Sequence, residues 1–223
     1  NIRNYLPARA RESFKHAATR WGVEFVEITK PLGAMHHFWQ KALVPLSKHT
    51  EGFERVLQMD GDMLIRSDCP SPFDLVPEGW VGAVSRLQGH SGRSMFQNWF
   101  RNVAGHAERF GLVPYSSEDQ HLNGGLLLYN REIHRELLAK WVEIGRGVGW
   151  KTITGVPEQF ALSCLLANSD VRVYWLHWTF NVLGIGRVPL FPPGPMRAFI
   201  YHFNGRRRRP LAYVMEDYQW KIS

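Results

Sequence analysis

Leu122-Asn123-Gly124-Gly125-Leu126-Leu127-Leu128-Tyr129 is the stretch on which the fold of this 223-residue chain turns. It is apolar and strand-like, and a continuous apolar run suits a strand buried inside a sheet. The paired glycines suit a bulge in a buried strand. Directly downstream, Ile133, Leu137, Leu138, Trp141 and Ile144 recur as one helical face, with Glu136 four residues before Lys140 as a helix favours. A buried strand running into an amphipathic helix is one βα step.

The same alternation continues on both sides. Upstream, Ala8 to Arg20 reads as a surface helix stopped by Gly22, and Val23 to Ile28 alternates apolar and acidic residues as a strand does. Met35 to Lys48 is a second helix candidate that Pro45 bends or ends, and Arg55 to Met59 is a strand running into Asp60-Gly61-Asp62. Gly79 to Ser85 follows the turn-rich Cys69-Pro70-Ser71-Pro72 as a further strand, and Met95 to Phe110 reads as a helix. Downstream, Pro157 suits the first turn of a helix carrying Phe160, Ala161, Cys164 and Leu165, and Val171 to Leu176 resumes a β pattern. After a proline and glycine loop between Gly184 and Pro195, Phe199 to Phe203 forms a last strand that feeds Gly205 and four arginines. The expected architecture is one α/β domain over residues 1–223. Its sheet is mostly parallel, covered by helices on both faces, and its ligands bind beyond the carboxyl ends of the strands. Asp60, Asp62 and His202 fall at such ends.

Composition narrows the function classes. With 44% hydrophobic residues and 9 Trp, 13 Phe and 7 Tyr, the chain has the apolar surface for a real core and is not a disordered tail. No apolar run approaches the roughly 20 residues of a membrane helix, and no leader opens the sequence. Cys69 and Cys164 are the only cysteines, too few for a disulfide framework or a cysteine metal cluster, so reduced thiols and a cytoplasmic setting are expected. The formal charge of +7 suits a polyanionic partner, be it nucleic acid, an anionic membrane surface or a phosphorylated substrate, and is equally compatible with plain solvation.

Two carboxylates one glycine apart at a strand end aim hard oxygen ligands at a common point, as Mg²⁺ or Mn²⁺ requires when it also holds phosphates. The competing reading of Asp60-Gly61-Asp62 is an acidic turn. His202, in Ile200-Tyr201-His202-Phe203-Asn204-Gly205, is either an Mn²⁺ ligand or a satisfied core histidine. The arginines at 206–209 are either phosphate ligands or a solvated surface.

In combination and order these pieces resemble the family 8 glycosyltransferases, the group of glycogenin and the bacterial lipooligosaccharide galactosyltransferases. The resemblance runs from about residue 36 to 210. It comprises Lys41, then Arg55 to Asp62 continuing to Phe73-Asp74, then Leu122 to Asn130, then Pro157-Glu158-Gln159-Phe160-Ala161-Leu162, and finally His202-x-x-Gly205-x-x-Arg208. It implies a single Rossmann-like domain of the GT-A type that transfers a sugar from a nucleotide diphosphate sugar to an acceptor hydroxyl, with retention favoured. By resemblance, Asp60, Asp62 and His202 hold Mn²⁺ (or Mg²⁺), and Gly205 and Arg208 bind the donor diphosphate. Lys41 contacts the donor, Asn123, Gly124 and Gly125 line the sugar pocket, and Glu158 and Gln159 flank the reacting carbon. On local evidence, Glu158 equally suits a helix N-terminus favoured by the macrodipole.

Some positions depart from the family pattern. Arginine replaces its lysine after the His-x-x-Gly element, Arg209 is an added basic residue before Pro210, and Leu211 stands where an aromatic is frequent. The strand that opens the family fold and contacts the base finds no match in this sequence, which leaves a missing leading segment or a differently built end as alternatives; a UDP-sugar is favoured by resemblance, while no residue separates UDP from GDP. Residues 206–223 mix arginine with Tyr213, Tyr218 and Trp220 as a surface-associating tail does, which keeps an anionic glycan, a lipid at the membrane surface, or DNA open as acceptor. Two other classes compete with a transferase: a metal-dependent phosphoesterase or nucleotidyltransferase, and a non-catalytic nucleic-acid-binding module.

Overall fold

A computed structural model describes residues 8–86, 107, 111–115, 120–147, 157–183 and 198–202. The expectations for Met95 to Phe110 (apart from Ala107, which is helical), for the Gly184 to Pro195 loop, for Gly205 and Arg208, and for the basic tail lie outside the described residues.

The first helix, α1 (Ala8–Trp21), ends as its sequence predicts. Gly22 takes φ +68°, and the amides of Gly22 and Val23 donate back to Thr19 O and Ala18 O, closing the left-handed cap that glycine adopts without strain. The strand expected over Val23 to Ile28 does not form. Its residues join no ladder among the described residues, and they run back beside α1 instead. Phe25 packs against Phe14 with the rings tilted, and Glu27 accepts two hydrogen bonds from Arg11. Alternation fits any half-buried extended chain, so it does not by itself supply a pairing partner.

The single helix expected over Met35 to Lys48 is likewise broken. It becomes a 3₁₀ turn at His37–Trp39, a one-turn α2 (Gln40–Leu43), and two further 3₁₀ turns at Val44–Leu46 and Lys48–Thr50. Pro45 sits in the first turn of the second 3₁₀ segment, where its missing N–H costs nothing. Later helices are α3 (Pro72–Leu75), capped by Ser71 Oγ on the Phe73 amide, α4 (Arg135–Gly147) and α5 (Pro157–Ala167). Ile133, read from the sequence as part of the α4 face, precedes that helix and is exposed.

The strands are β1 (Arg55–Met59), β2 (Met63–Ile65), β3 (Val81–Ser85), β4 (Leu122–Asn130), β5 (Val173–Leu176), β6 (Val182–Leu183) and β7 (Ile200–His202). The main sheet has the order β1-β4-β3-β5. Strand β4 runs antiparallel to both β1 and β3, whereas β3 and β5 are parallel. Strands β1, β3 and β5 therefore share one direction, and β4 is inserted between them in reverse. A small second sheet, β2-β7-β6, pairs Met63 with His202 antiparallel and Leu183 with His202 parallel.

Both faces of the main sheet are covered. On one, Leu127 and Tyr129 of β4, Val81 and Ala83 of β3, and Val173 and Trp175 of β5 pack against Trp39 and Ala42 and against helices α4 and α5. On the other, Leu126, Leu128, Val84 and Leu176 meet α1 and the small sheet through Ala17, Met63, Ile65 and Ile200. Alternation of Leu126, Leu127, Leu128 and Tyr129 between two cores explains why β4 is apolar without a polar face. Helix α5 is buried from Phe160 to Leu166 on every side, which is why its sequence carries no polar stripe.

Candidate functional site

The site forms where the C-terminal end of β1 meets the beginning of β4. Pairing of Met59 with Leu126 continues one step further, Asp60 N donating to Gly125 O at 2.9 Å, so the Asp60-Gly61-Asp62 turn lies beside Asn123-Gly124-Gly125. The chain then turns into β2, whose pairing with β7 carries His202 to the same place. His202 Nε2 stands 3.5 Å from Asp60 Oδ2 and 3.3 Å from Asp62 Oδ1. One ligand atom from each of the three residues lies within 4.8 Å of the others.

This donor set fits a divalent cation. Two carboxylate oxygens and an imidazole nitrogen converge from three positions, Asp60 and Asp62 are only part-buried, and His202 is buried at 3% exposure. The imidazole among the carboxylates departs from the all-oxygen set that Mg²⁺ favours. The two readings of His202 thus prove compatible, since it is both a core residue and a member of the cluster.

Lys41 and the glycines complete the surroundings. Lys41 Nζ donates to Asp60 Oδ2 at 2.7 Å and to Gly124 O at 3.2 Å. Burial disfavours its charge, but the carboxylates of Asp60, Glu158 and Asp62 outweigh that and push its pKa up, so Lys41 stays cationic. A Cβ on Gly124 would stand 2.7 Å from Gln159 Cγ, and one on Gly125 would stand 2.6 Å from His202 Nδ1. Glycine occurs twice here because two side chains lie against the bare backbone of β4. Asn123, buried, turns its Oδ1 back to accept from Gly125 N at 2.9 Å and stiffens this turn.

Glu158 and Gln159 open α5, and their backbone is fastened from two directions. Trp141 Nε1 of α4 donates to Glu158 O at 2.8 Å. Ser163 Oγ donates to Gln159 O at 2.8 Å and accepts from Leu122 N at 3.1 Å, tying α5 to the start of β4. Their side chains are buried at 1% and 7% exposure, and Glu158 Oε2 and Gln159 Oε1 have no hydrogen-bond partner among the described residues. Lys41, Asp60, Asp62, Asn123, Gly124, Gly125, Glu158, Gln159 and His202 therefore belong to one contiguous cluster.

No family model and no curated protein matches this sequence. Solved structures nevertheless share its architecture. A glycosyltransferase involved in glycosylation of the major capsid of PBCV-1 aligns with a TM-score of 0.61 over 97% of this chain and 94% of its own, at 13% identity. The galactosyltransferase LgtC, in complex with donor and acceptor sugar analogues, aligns at 0.51 over 94% of this chain and 78% of its own, at 19% identity. Mouse xyloside xylosyltransferase 1 in its apo form aligns at 0.50 over 89% and 73%, at 13% identity. The chain has a GT-A fold. That is the fold implied by the resemblance to family 8.

Within this GT-A fold, burial raises the Glu158 pKa to about 7 against the opposing charge of Lys41. Its folded-state pKa thus lies above its unfolded value. The linked stability is complete below about pH 4.5 and is lost as pH rises through about 7. Glu158→Gln, which cannot ionise, is therefore expected to gain stability over the metal-free wild type between pH 5 and 8, by on the order of 2–3 kcal/mol. Chemical denaturation at both pH values measures it; a difference that does not change with pH refutes the burial argument.

Two residues of the site escape sequence reading. Arg86 follows β3 and lies close enough to Glu158 for that carboxylate to support its charge against burial. Asn181, between the 3₁₀ turn Trp178–Phe180 and β6, bonds to His202 from 21 positions away. Neither stands in a motif, and no spacing rule links either to the aspartate pair.

Proposed function

We propose that this chain is a metal-dependent glycosyltransferase that moves a sugar from a nucleotide diphosphate sugar to an acceptor hydroxyl. The observation that carries the reading is the meeting of Asp60, Asp62 and His202 at the strand ends of a GT-A fold. In the net reaction the bond from the anomeric carbon to the diphosphate oxygen breaks and a bond to the acceptor oxygen forms. Nucleoside diphosphate and a proton are released. Negative charge grows on the departing diphosphate, and a divalent ion, which Asp60, Asp62 and His202 would hold, would supply positive charge against it.

The remaining roles belong to the chain's own residues. Lys41 holds Asp60 in place and brings a second positive charge to the donor side. The unpartnered oxygens of Glu158 and Gln159 offer acceptors to sugar hydroxyls, and Asn123 keeps the Gly124-Gly125 turn open beside them. The family resemblance supports Gly205 and Arg208 as diphosphate ligands, retention of anomeric configuration, and a UDP-sugar as donor. Donor and acceptor sugar analogues in the galactosyltransferase of the same fold support a sugar hydroxyl as acceptor. Among the described residues no helix is long and apolar enough to cross a membrane.

The test is incubation with UDP- and GDP-sugars in Mn²⁺ and in EDTA. Nucleoside diphosphate is expected to appear with Mn²⁺ alone, and donor binding by calorimetry is expected to weaken at least tenfold in EDTA. Without the ion, Asp60 and Asp62 face the diphosphate as like charges. Release of monophosphate or pyrophosphate would transfer the site to phosphoryl chemistry, and equal donor binding in both conditions would remove the metal from the reading.

A further inference from the structure

We infer that Asn181 is a positioning residue that fixes the tautomer of His202 and so keeps its Nε2 available as a cation ligand. The proposal rests on the metal reading above.

The geometry starts at the small sheet. Parallel pairing of Val182 with Tyr201 and of Leu183 with His202 sets Asn181, the residue before β6, level with the start of β7, from where its side chain reaches along the strand to the ring of His202. Asn181 ends the 3₁₀ turn Trp178–Phe180, its amide donating to Trp178 O, so its backbone is anchored before the strand begins. Its Oδ1 lies 2.9 Å from His202 Nδ1, and both residues are buried.

An amide oxygen can only accept, so Nδ1 of the imidazole must be the donor. In a neutral ring that leaves the lone pair on Nε2, the nitrogen that faces Asp60 Oδ2 and Asp62 Oδ1. The opposite tautomer would point a proton at the two carboxylates, making a hydrogen-bonded cluster with no nitrogen lone pair for a cation. Outer partners of this kind orient metal-ligating histidines generally.

Two further observations show that the contact is dedicated. It is the sole side-chain hydrogen bond of Asn181 among the described residues, and the Nδ2 of the same amide is buried without a partner. The amide thus serves His202 and nothing else that the structure describes. Cε1 and Nδ1 of the ring also lie against the bare backbone of Gly125, which leaves the ring little freedom to turn over. Asn181 controls the proton, and Gly125 controls the room.

The first measurement needs no variant. In metal-free wild-type protein with ¹⁵N-labelled histidine at alkaline pH, the His202 resonance, assigned by its loss in H202Q, is expected to show the proton on Nδ1. In Asn181→Leu, which keeps the volume and removes the acceptor, the Nε2–H form is expected to gain population. Its Mn²⁺ dissociation constant, read by electron paramagnetic resonance of the free ion, is expected to rise about 10- to 100-fold. Asn181→Asp restores an acceptor and is expected to recover both the tautomer and most of the affinity. A wild-type ring protonated on Nε2 overturns the proposal even if Mn²⁺ binds, and so does an Asn181→Leu protein with wild-type Mn²⁺ affinity. Wild-type protein with the expected tautomer and no Mn²⁺ binding instead overturns the metal reading and this proposal with it.

Discussion

Asp62→Asn is expected to lower nucleotide-sugar turnover by about 10³-fold while leaving the melting temperature nearly unchanged. The substitution preserves shape and removes one negative charge from the cluster. Asp62 is the most accessible of the three, its side chain 37% exposed, and it is not the carboxylate that pairs with Lys41. The folded state therefore loses little. A bound ion contributes several kcal/mol to the stabilisation of developing charge, and about 4 kcal/mol corresponds to three decades in rate. Turnover in saturating Mn²⁺ and a thermal melt together measure both parts. Full activity in the variant would show that the ion, if bound, is not held by Asp62.

Gly125→Ala is expected to act on stability and site together. The added methyl would overlap His202 and approach Asn123 Oδ1 to 3.1 Å, and moving the buried imidazole away would break its hydrogen bond from Nδ1 to Asn181 Oδ1. Overpacking of this kind costs about 1–3 kcal/mol, a fall in melting temperature of roughly 2–12 °C for a chain of this length. Mn²⁺ affinity should fall at least tenfold, since the ring must move off the position that faces Asp60 and Asp62. Calorimetric melting and Mn²⁺ titration of the variant check the two effects separately. A variant as stable as the wild type with unchanged Mn²⁺ affinity would mean that the backbone of β4 yields without cost.

Much of the fold was legible because its signals are local. Gly22 ended α1 where a left-handed cap was needed, and Pro157 opened α5 where its missing N–H is harmless. The apolar runs at 55–59 and 122–130 became the two strands that frame the site. Where local signals were ambiguous, tertiary context decided. Val23 to Ile28 alternates like a strand yet lays Phe25 against α1 and leaves Val26 exposed, and the turns before and after α2 replace one continuous helix.

The aspartate pair at the end of an apolar strand, the two glycines of β4 and the acidic and amide residues opening α5 were all visible in the sequence; the aspartates pointed by type to a metal, whereas the glycines and the residues opening α5 gained a site role only through the family resemblance. Their mutual placement was not visible, because it depends on strand direction and register, which no residue encodes by itself. Reversal of β4 between β1 and β3 puts Gly124 and Gly125 against Asp60, and pairing of β2 with β7 brings His202 across 140 positions to Asp62. Asn181 has no local signature at all: an asparagine after a short turn is ordinary until β6 docks beside β7 and its oxygen meets a particular ring nitrogen. Residue chemistry is a property of the sequence, whereas which nitrogen carries the proton is decided only by what folding brings within hydrogen-bonding distance.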